Sequence, residues 1–197
     1  MDNYEKMQEA ARCRFLEYDC DALCRRVGVT AGGSSVCTRF LGQPVEISRR
    51  TGEITVGGAK ASFSQALTLY DWLCDGQKDA KPAFRFCKIS SLPGVYVSGS
   101  GLGISGDSVA SLIEGNREGF LELCRQMNGW EVTGADLAVV IWPLPDLPMM
   151  LKFYGADEEF PATLALLWDE NTLRFLRYET VFYLAGCLLR RIRTALS

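Results

Sequence analysis

The chain has 197 residues, 48% of them hydrophobic, and its formal net charge is −3 from 21 basic and 24 acidic residues. This balance gives no electrostatic footprint for nucleic acid. The chain contains no histidine, so it cannot build a Ser-His triad, a Cys-His protease site or a histidine-ligated metal centre by itself. Any general acid–base chemistry would have to use Asp, Glu, Lys, Tyr or Cys. The length predicts a single domain over residues 1–197.

Neither end of the sequence has the pattern of a membrane or export segment. The longest apolar stretch, Val181–Leu189, is too short to cross a bilayer and stops at Arg190 and Arg191. The beginning, Met1–Lys6, is acidic and lacks the apolar region of a signal peptide. We therefore expect no membrane association and a cytoplasmic location.

The first half of the chain predicts helices and short strands in alternation. A helix is expected over residues 4–27, and it ends before the glycines at 28, 32 and 33. Ser62 and Gln65 have the spacing of a capping box at the start of a second helix, which runs to about Cys74. The strands predicted in this half are 36–40, 44–47, 52–56 and 83–90.

Eight cysteines occur in the chain, and two of them, Cys20 and Cys24, lie four residues apart on one face of the predicted first helix. One interpretation is a thiolate pair that binds a metal or a cluster, joined by Cys13 or Cys37. The tight C-x-x-C turns of zinc knuckles are missing, however. The favoured interpretation is that these thiols are reduced and pack as small hydrophobic side chains, since free cysteine is among the most buried residue types.

The second half opens with a glycine-rich loop. A strand is predicted over Gly94–Ser98, and the loop Gly99–Gly106 contains a literal G-x-G-x-x-G before a helix that starts at Asp107. The dinucleotide fingerprint requires a βαβ unit and an acidic residue about twenty positions further on, whereas this strand follows an apparent hairpin and the later region looks helical. We therefore predict no cofactor site here, and the loop is either a flap or an ordinary surface loop. The elements predicted beyond it are helices over 107–115 and 117–128, a buried strand over 135–141 and a C-terminal helix over 178–196.

An acidic turn near the C-terminus is the most distinctive segment. Two apolar strands, Met149–Tyr154 and Ala162–Trp168, flank the link Gly155–Pro161, in which Gly and Pro favour chain reversal. The link holds the candidate binding residues Asp157, Glu158 and Glu159. Carboxylate oxygens suit hard cations, although the spacing is not that of an EF-hand. The alternative interpretation is a solvated hairpin tip.

Several segments carry a family resemblance. They are Phe40–Ile47, Gln65–Leu73, Gly155–Ala162 and the pair Trp168 and Asp169. They resemble an uncharacterised prokaryotic domain-of-unknown-function family, found mainly in anaerobic bacteria and archaea and marked by the D-E-E-F-P hairpin. The resemblance implies no established activity. It implies that some members carry an iron–sulfur-binding segment or accompany corrinoid-dependent methyl-transfer proteins, but this chain lacks a ferredoxin-like cysteine run.

These observations predict an α+β fold, with a mainly antiparallel sheet packed against N- and C-terminal helices. The favoured function is a non-catalytic accessory or binding domain in anaerobic metabolism, which docks to a corrinoid or iron–sulfur protein. The alternative is a small enzyme or metal-binding protein that uses Asp157, Glu158 and Glu159. No cofactor is predicted, and a metal at Cys20 and Cys24 is the weaker candidate.

Overall fold

The computed structural model describes residues 3–27, 29–95 and 105–197. Groups of helices and groups of strands follow one another along these ranges. The α-helices are α1 (Asn3–Glu17), α2 (Cys20–Val27), α3 (Phe63–Asp75), α4 (Asp107–Gly115), α5 (Arg117–Gln126), α6 (Thr172–Phe175) and α7 (Tyr178–Leu196). The strands are β1 (Thr30–Ala31), β2 (Ser35–Phe40), β3 (Gln43–Ser48), β4 (Ile54–Val56), β5 (Ala59–Lys60), β6 (Phe86–Cys87), β7 (Trp130–Val132), β8 (Leu137–Leu144), β9 (Leu147–Tyr154) and β10 (Thr163–Asp169).

The strands form two antiparallel sheets. The N-terminal sheet has the order β1-β2-β3-β4-β5, and the C-terminal sheet has the order β6-β10-β9-β8-β7. Every described strand pair is antiparallel. The predicted α+β fold is thus confirmed, with its strands divided between two sheets. The prediction of a single domain stays a prediction, although buried residues of both sheets belong to one hydrophobic cluster.

The N-terminal sheet shows the alternation expected of a sheet with one solvated face. Its inner side chains are buried: Val36, Phe40, Val45, Ile47, Ile54 and Val56. Its outer positions Cys37, Arg39 and Glu46 are exposed. Period-2 patterning in the sequence therefore predicted β2 and β3. The strand predicted over 52–56 begins later, at Ile54, and the two-residue strands β1 and β5 were not predicted.

The helices α3 and α7 were predicted closely because their signals are local. In α3 the backbone N–H of Ser62 donates to Oε1 of Gln65 over 2.8 Å, and the N–H of Gln65 donates to Oγ of Ser62, which confirms the capping box. The C-terminal helix Tyr178–Leu196 has the predicted bounds. It packs on α3, α4 and α5.

The single helix predicted over residues 4–27 is wrong. The chain bends at Tyr18 and Asp19 and forms α1 and α2 instead. The carboxylate of Asp19 accepts hydrogen bonds from the backbone N–H groups of Asp21 and Ala22, at 2.9 and 3.2 Å. This is an N-cap arrangement, so Asp19 begins a new helix rather than continuing the old one.

The strand predicted over residues 83–90 is mostly wrong as well. Only Phe86–Cys87 pairs as a strand, and a short 3₁₀ turn follows at Ile89–Ser91. The preceding residues are held away from the ladder by hydrogen bonds to Asp169. The helix predicted over 117–128 ends earlier, at Gln126. Most of the strand predicted over Gly94–Ser98 and of the Gly99–Gly106 loop lies outside the described residues.

Candidate functional site

The outer face of the C-terminal sheet is apolar, unlike that of the N-terminal sheet. Residues directly opposite each other on neighbouring strands present their side chains on the same face. The register aligns one row across four strands, namely Trp130, Val140, Met150 and Leu167. The adjacent row consists of Val132, Ala138, Lys152 and Ala165. We call these two rows, together with Trp142, the outer face.

The outer face is separate from the hydrophobic core. The alternate positions of the same strands, Val139, Ile141, Met149, Leu151, Phe153, Leu164, Leu166 and Trp168, are buried in the core cluster. Of the outer face, Ala138 and Val140 are covered, yet neither belongs to that cluster. Met150 and Leu167 are half-buried, and Trp130 is 45% exposed. Apolar side chains therefore remain in contact with water along this surface.

Three aromatic side chains form a ridge at one end of the outer face. The rings of Phe84 and Trp142 meet edge to face with centroids 5.9 Å apart, and those of Trp142 and Trp130 are 6.2 Å apart. Phe84 is 53% exposed. We call Phe84, Trp142 and Trp130 the aromatic ridge. It presents large rigid apolar surfaces to solvent, and such side chains dominate interface energetics.

A buried carboxylate holds the ridge in place. Asp169 is fully buried at the end of β10. Its carboxylate accepts three backbone N–H groups, from Ala83 at 2.9 Å, Phe84 at 2.6 Å and Asn171 at 2.9 Å. Phe84 has a φ of 54°, in the left-handed region that a bulky residue rarely adopts. The two bonds to residues 83 and 84 offset that backbone strain, so Asp169 positions Phe84 against Trp142.

Lys152 is the one charged side chain in the two rows. It lies between Ala138 and Ala165 in the register. In the described part of the chain no carboxylate comes within ion-pair distance of it. The outer face thus combines apolar area with a single cation that a partner's carboxylate would match.

The acidic turn forms its own hydrogen bonds. Oδ1 of Asp157 accepts the N–H groups of Glu159 at 2.9 Å and Phe160 at 2.7 Å, and these bonds lower the pKa of Asp157. The side chains of Asp157, Glu158 and Glu159 are all exposed. Across residues 3–27, 29–95 and 105–197, no three His, Cys, Asp or Glu side chains are grouped to hold a metal ion. Binding by the acidic turn remains a prediction.

The cysteine pair is buried. Cys20 and Cys24 lie in the core cluster with Leu23 and Val27. Burial raises the pKa of both thiols above the ordinary value. Cys13 and Cys37 are exposed on other elements. A neutral buried thiol is a poor metal ligand and a poor nucleophile, so the geometry favours packing as the role of Cys20 and Cys24, while their metal binding stays untested.

Thiol labelling distinguishes a packing role of Cys20 and Cys24 from metal binding. Under native conditions we expect Cys37 and Cys13 to react first with Ellman's reagent, with Cys13 the slower because its hydrogen bond to Glu9 raises its pKa. Cys20 and Cys24 should react only on unfolding. Mapping by mass spectrometry assigns each thiol. Fast labelling of Cys20 and Cys24 that zinc or ferrous iron suppresses would contradict the packing role.

A cleft of about 590 Å³ opens between α1, the β4–β5 hairpin and α3. Its size suits a small molecule, but several of its polar groups bind each other. Arg12 donates to the carboxylate of Glu9 and to the carbonyl of Thr51, and the hydroxyl of Tyr70 donates to the carbonyl of Gly52 over 2.6 Å. Burial raises the pKa of Tyr70, so this hydroxyl stays protonated. These contacts stabilise the cleft rather than provide a nucleophile with its base.

Sequence reasoning missed the residues of the outer face. The signal was present in the strand over 135–141, which the continuous apolar run predicted to be buried. Such runs are typical of strands covered on both faces. Here the helices cover one face, and the other is left apolar. The sequence predicts a strand that is covered on both faces, whereas the structure covers only one face. This difference identifies the surface.

Comparison with known proteins gives a family and no relative of known function. A family model described as Domain of unknown function (DUF3786) matches residues 19–191. No curated protein and no solved structure matches significantly. The matched span includes the outer face, the aromatic ridge, Asp169 and the acidic turn. In the described ranges no helix is long and apolar enough to span a membrane.

Proposed function

The chain belongs to the DUF3786 family of domains of unknown function, and we propose that it is a non-catalytic binding domain that docks a partner protein on the outer face of its C-terminal sheet. The observation that carries this proposal is the apolar outer face itself. Contiguous exposed apolar surface on a folded protein marks an interaction site or an aggregation liability.

The N-terminal sheet is an internal comparison. Both sheets are antiparallel and have five strands, so both should alternate between apolar and polar positions if each faced water on one side. The N-terminal sheet does so, with Cys37, Arg39 and Glu46 outside. The C-terminal sheet instead presents Trp130, Met150 and Leu167. The difference supports a partner on one sheet only.

The chemistry of the outer face defines the partner surface. A complementary protein would present an apolar centre to Met150 and Leu167 and a pocket or flat apolar area to the aromatic ridge. It would carry a carboxylate opposite Lys152. We propose to test a corrinoid or iron–sulfur protein of anaerobic metabolism as the first partner class, because the family resemblance points to such proteins. The cytoplasm is the compartment that we propose for this complex.

The variant Met150→Lys tests the proposal. Met150 is half-buried within the outer face, between Val140 and Leu167. A lysine there can extend its charge to water in the free chain. In the complex that charge would be desolvated, so we expect about 30-fold weaker binding, equivalent to roughly 2 kcal/mol. Binding is measured by anaerobic capture from native lysate, with cobalt and iron analysis of what is bound and titration of the identified partner.

The matched control is Glu46→Lys, which places the same lysine at an exposed outer position of the N-terminal sheet. This variant should bind as the wild type does. Wild-type affinity of Met150→Lys, or equal losses in both variants, would contradict the proposed surface. Self-association that Met150→Lys abolishes would identify a second copy of this chain as the occupant instead.

A further inference from the structure

A small cavity of about 200 Å³ lies between the β2–β3 turn, the start of α3 and the last turns of α7. The residues that line it include five with polar side chains: Gln43, Gln65, Arg190, Arg191 and Thr194. Among the residues that the structure describes, no carboxylate lines it. Two arginines therefore border one small space, and none of the described residues in its wall is acidic.

The other polar groups add hydrogen-bond donors. Oε1 of Gln65 accepts the N–H of Ser62, which leaves the amide NH₂ of Gln65 to donate elsewhere. Gln65 is the third residue of α3, so it belongs to the positive end of that helix dipole. The C-terminal end of α7 contributes a partial negative charge of only about −0.5. The two full charges of Arg190 and Arg191 outweigh it.

Arg191 has one hydrogen-bond donor without an acceptor among the described residues. Its Nη2 donates to Oε1 of Gln126 over 3.2 Å. Its Nε is buried and has no hydrogen-bond partner among the residues that the structure describes. A buried donor without an acceptor is costly. The guanidinium of Arg191 is therefore only partly satisfied by the described residues.

The wall of the cavity is preorganised by the backbone. The N–H of Leu41 donates to the carbonyl of Pro143 over 2.9 Å, which fixes the β2–β3 turn to β8. At Gly42 (φ 76°) an added Cβ would lie 2.7 Å from the carbonyl oxygen of Gln126, so the turn also sits tightly against the end of α5. Gln126 in turn accepts from Arg191. The β2–β3 turn and Arg191 are thus held in place before any ligand binds, which reduces the entropic cost of binding.

We propose that this cavity binds a small oxyanion of the phosphate or sulfate type. Guanidinium groups and amides match the tetrahedral oxygens of such anions through charge-assisted hydrogen bonds. The cavity is smaller than the roughly 300–1,000 Å³ of sites for drug-sized ligands. The site therefore takes a free anion or the phosphoryl end of a small organic phosphate, and it is independent of the proposed docking surface.

The experiment is a titration of the full chain with inorganic phosphate, sulfate, glycerol phosphate and acetate, at constant ionic strength set by chloride. Binding is followed by isothermal calorimetry and by the rise in Tm. We expect saturable binding of the tetrahedral anions and none of acetate. Tighter binding of glycerol phosphate than of inorganic phosphate would identify an organic phosphate as the ligand.

The arginines provide matched variants on one helix. Arg190→Gln and Arg191→Gln should each weaken phosphate binding by about tenfold or more, because each removes a charge-assisted contact. Arg193→Gln removes the same charge from an exposed position that does not line the cavity, and it should bind as the wild type does. Equal weakening in all three variants, or no saturable binding to the wild type, would overturn the proposal.

Discussion

Replacing Arg14 with methionine is expected to lower the free energy of unfolding by about 3 kcal/mol, because it leaves the buried carboxylate of Asp71 without its cation and takes one of two cations from the half-buried Asp75. Nη2 of Arg14 lies 2.8 Å from Oδ1 of Asp71 and 3.1 Å from Oδ2 of Asp75. Asp71 also accepts the hydroxyl of Thr180. This network joins α1, α3 and α7, so loss of Arg14 should destabilise the packing of all three helices.

The pKa shifts agree with the role of Arg14. Burial alone would lower the pKa of this guanidinium, but the carboxylates of Asp75 and Asp71 outweigh it and raise the pKa. Burial also raises the pKa of Asp75, against the opposing effect of Arg14 and Arg177. Without Arg14, the ion pair with Arg177 at 2.9 Å is the one that Asp75 would keep among the described residues.

Thermal and urea unfolding measure the effect of Arg14→Met. For a chain of this length, about 3 kcal/mol corresponds to a Tm roughly 6–12 °C lower. The control is Arg125→Met, which breaks an exposed ion pair with Glu122 on α5 and should change the Tm little. Equal, small shifts in both variants would show that the network contributes no more than a surface pair.

The second large effect is expected for Asp169→Ala, which should lower the free energy of unfolding by about 3 kcal/mol, since it removes the acceptor of three backbone N–H groups. It should also release Phe84 from Trp142. Partner binding should therefore weaken in this variant even at temperatures where the chain remains folded. Urea unfolding gives the stability, and quenching of tryptophan fluorescence by acrylamide, measured with and without a Trp142→Phe substitution, gives the exposure of Trp142.

Two further variants test whether the hydrogen bonds accepted at position 169, rather than the loss of any carboxylate in this region, explain the effect. Asp169→Asn keeps one oxygen as an acceptor and should fall between the wild type and Asp169→Ala. Glu170→Ala removes the neighbouring carboxylate, whose partner is the exposed Arg85, and should leave both readouts near wild type. Unchanged acrylamide quenching in Asp169→Ala would contradict the role of Asp169 in holding the aromatic ridge.

Local signals in the sequence account for the elements that were predicted well. The capping box at Ser62 and Gln65 and the apolar periodicity of residues 178–196 each lie within one helix. The hairpin around the acidic turn was also found, since strands 147–154 and 163–169 pair directly across it. In each case the residues that determine the structure are close together in the chain.

Contacts between distant residues and one local helix cap account for the rest. The strand predicted over residues 83–90 fails because Asp169, 86 positions away from Ala83, binds the backbone there. The break at Asp19 depends on a cap that the periodicity of residues 4–27 concealed. The outer face could not be found from alternation, since β8, β9 and β10 carry apolar residues on both sides. Only the structure shows which side the helices cover.

Site-specific photo-crosslinking at position 150 tests the central claim most directly. A photoreactive phenylalanine analogue replaces Met150 on the outer face in one sample and Glu46 on the N-terminal sheet in the other, and each chain is irradiated in anaerobic native lysate. We predict a discrete crosslinked partner at position 150, identified by mass spectrometry as a corrinoid or iron–sulfur protein, and none at position 46. The same adducts at both positions, or none at position 150, would contradict the assignment of the outer face as a docking surface.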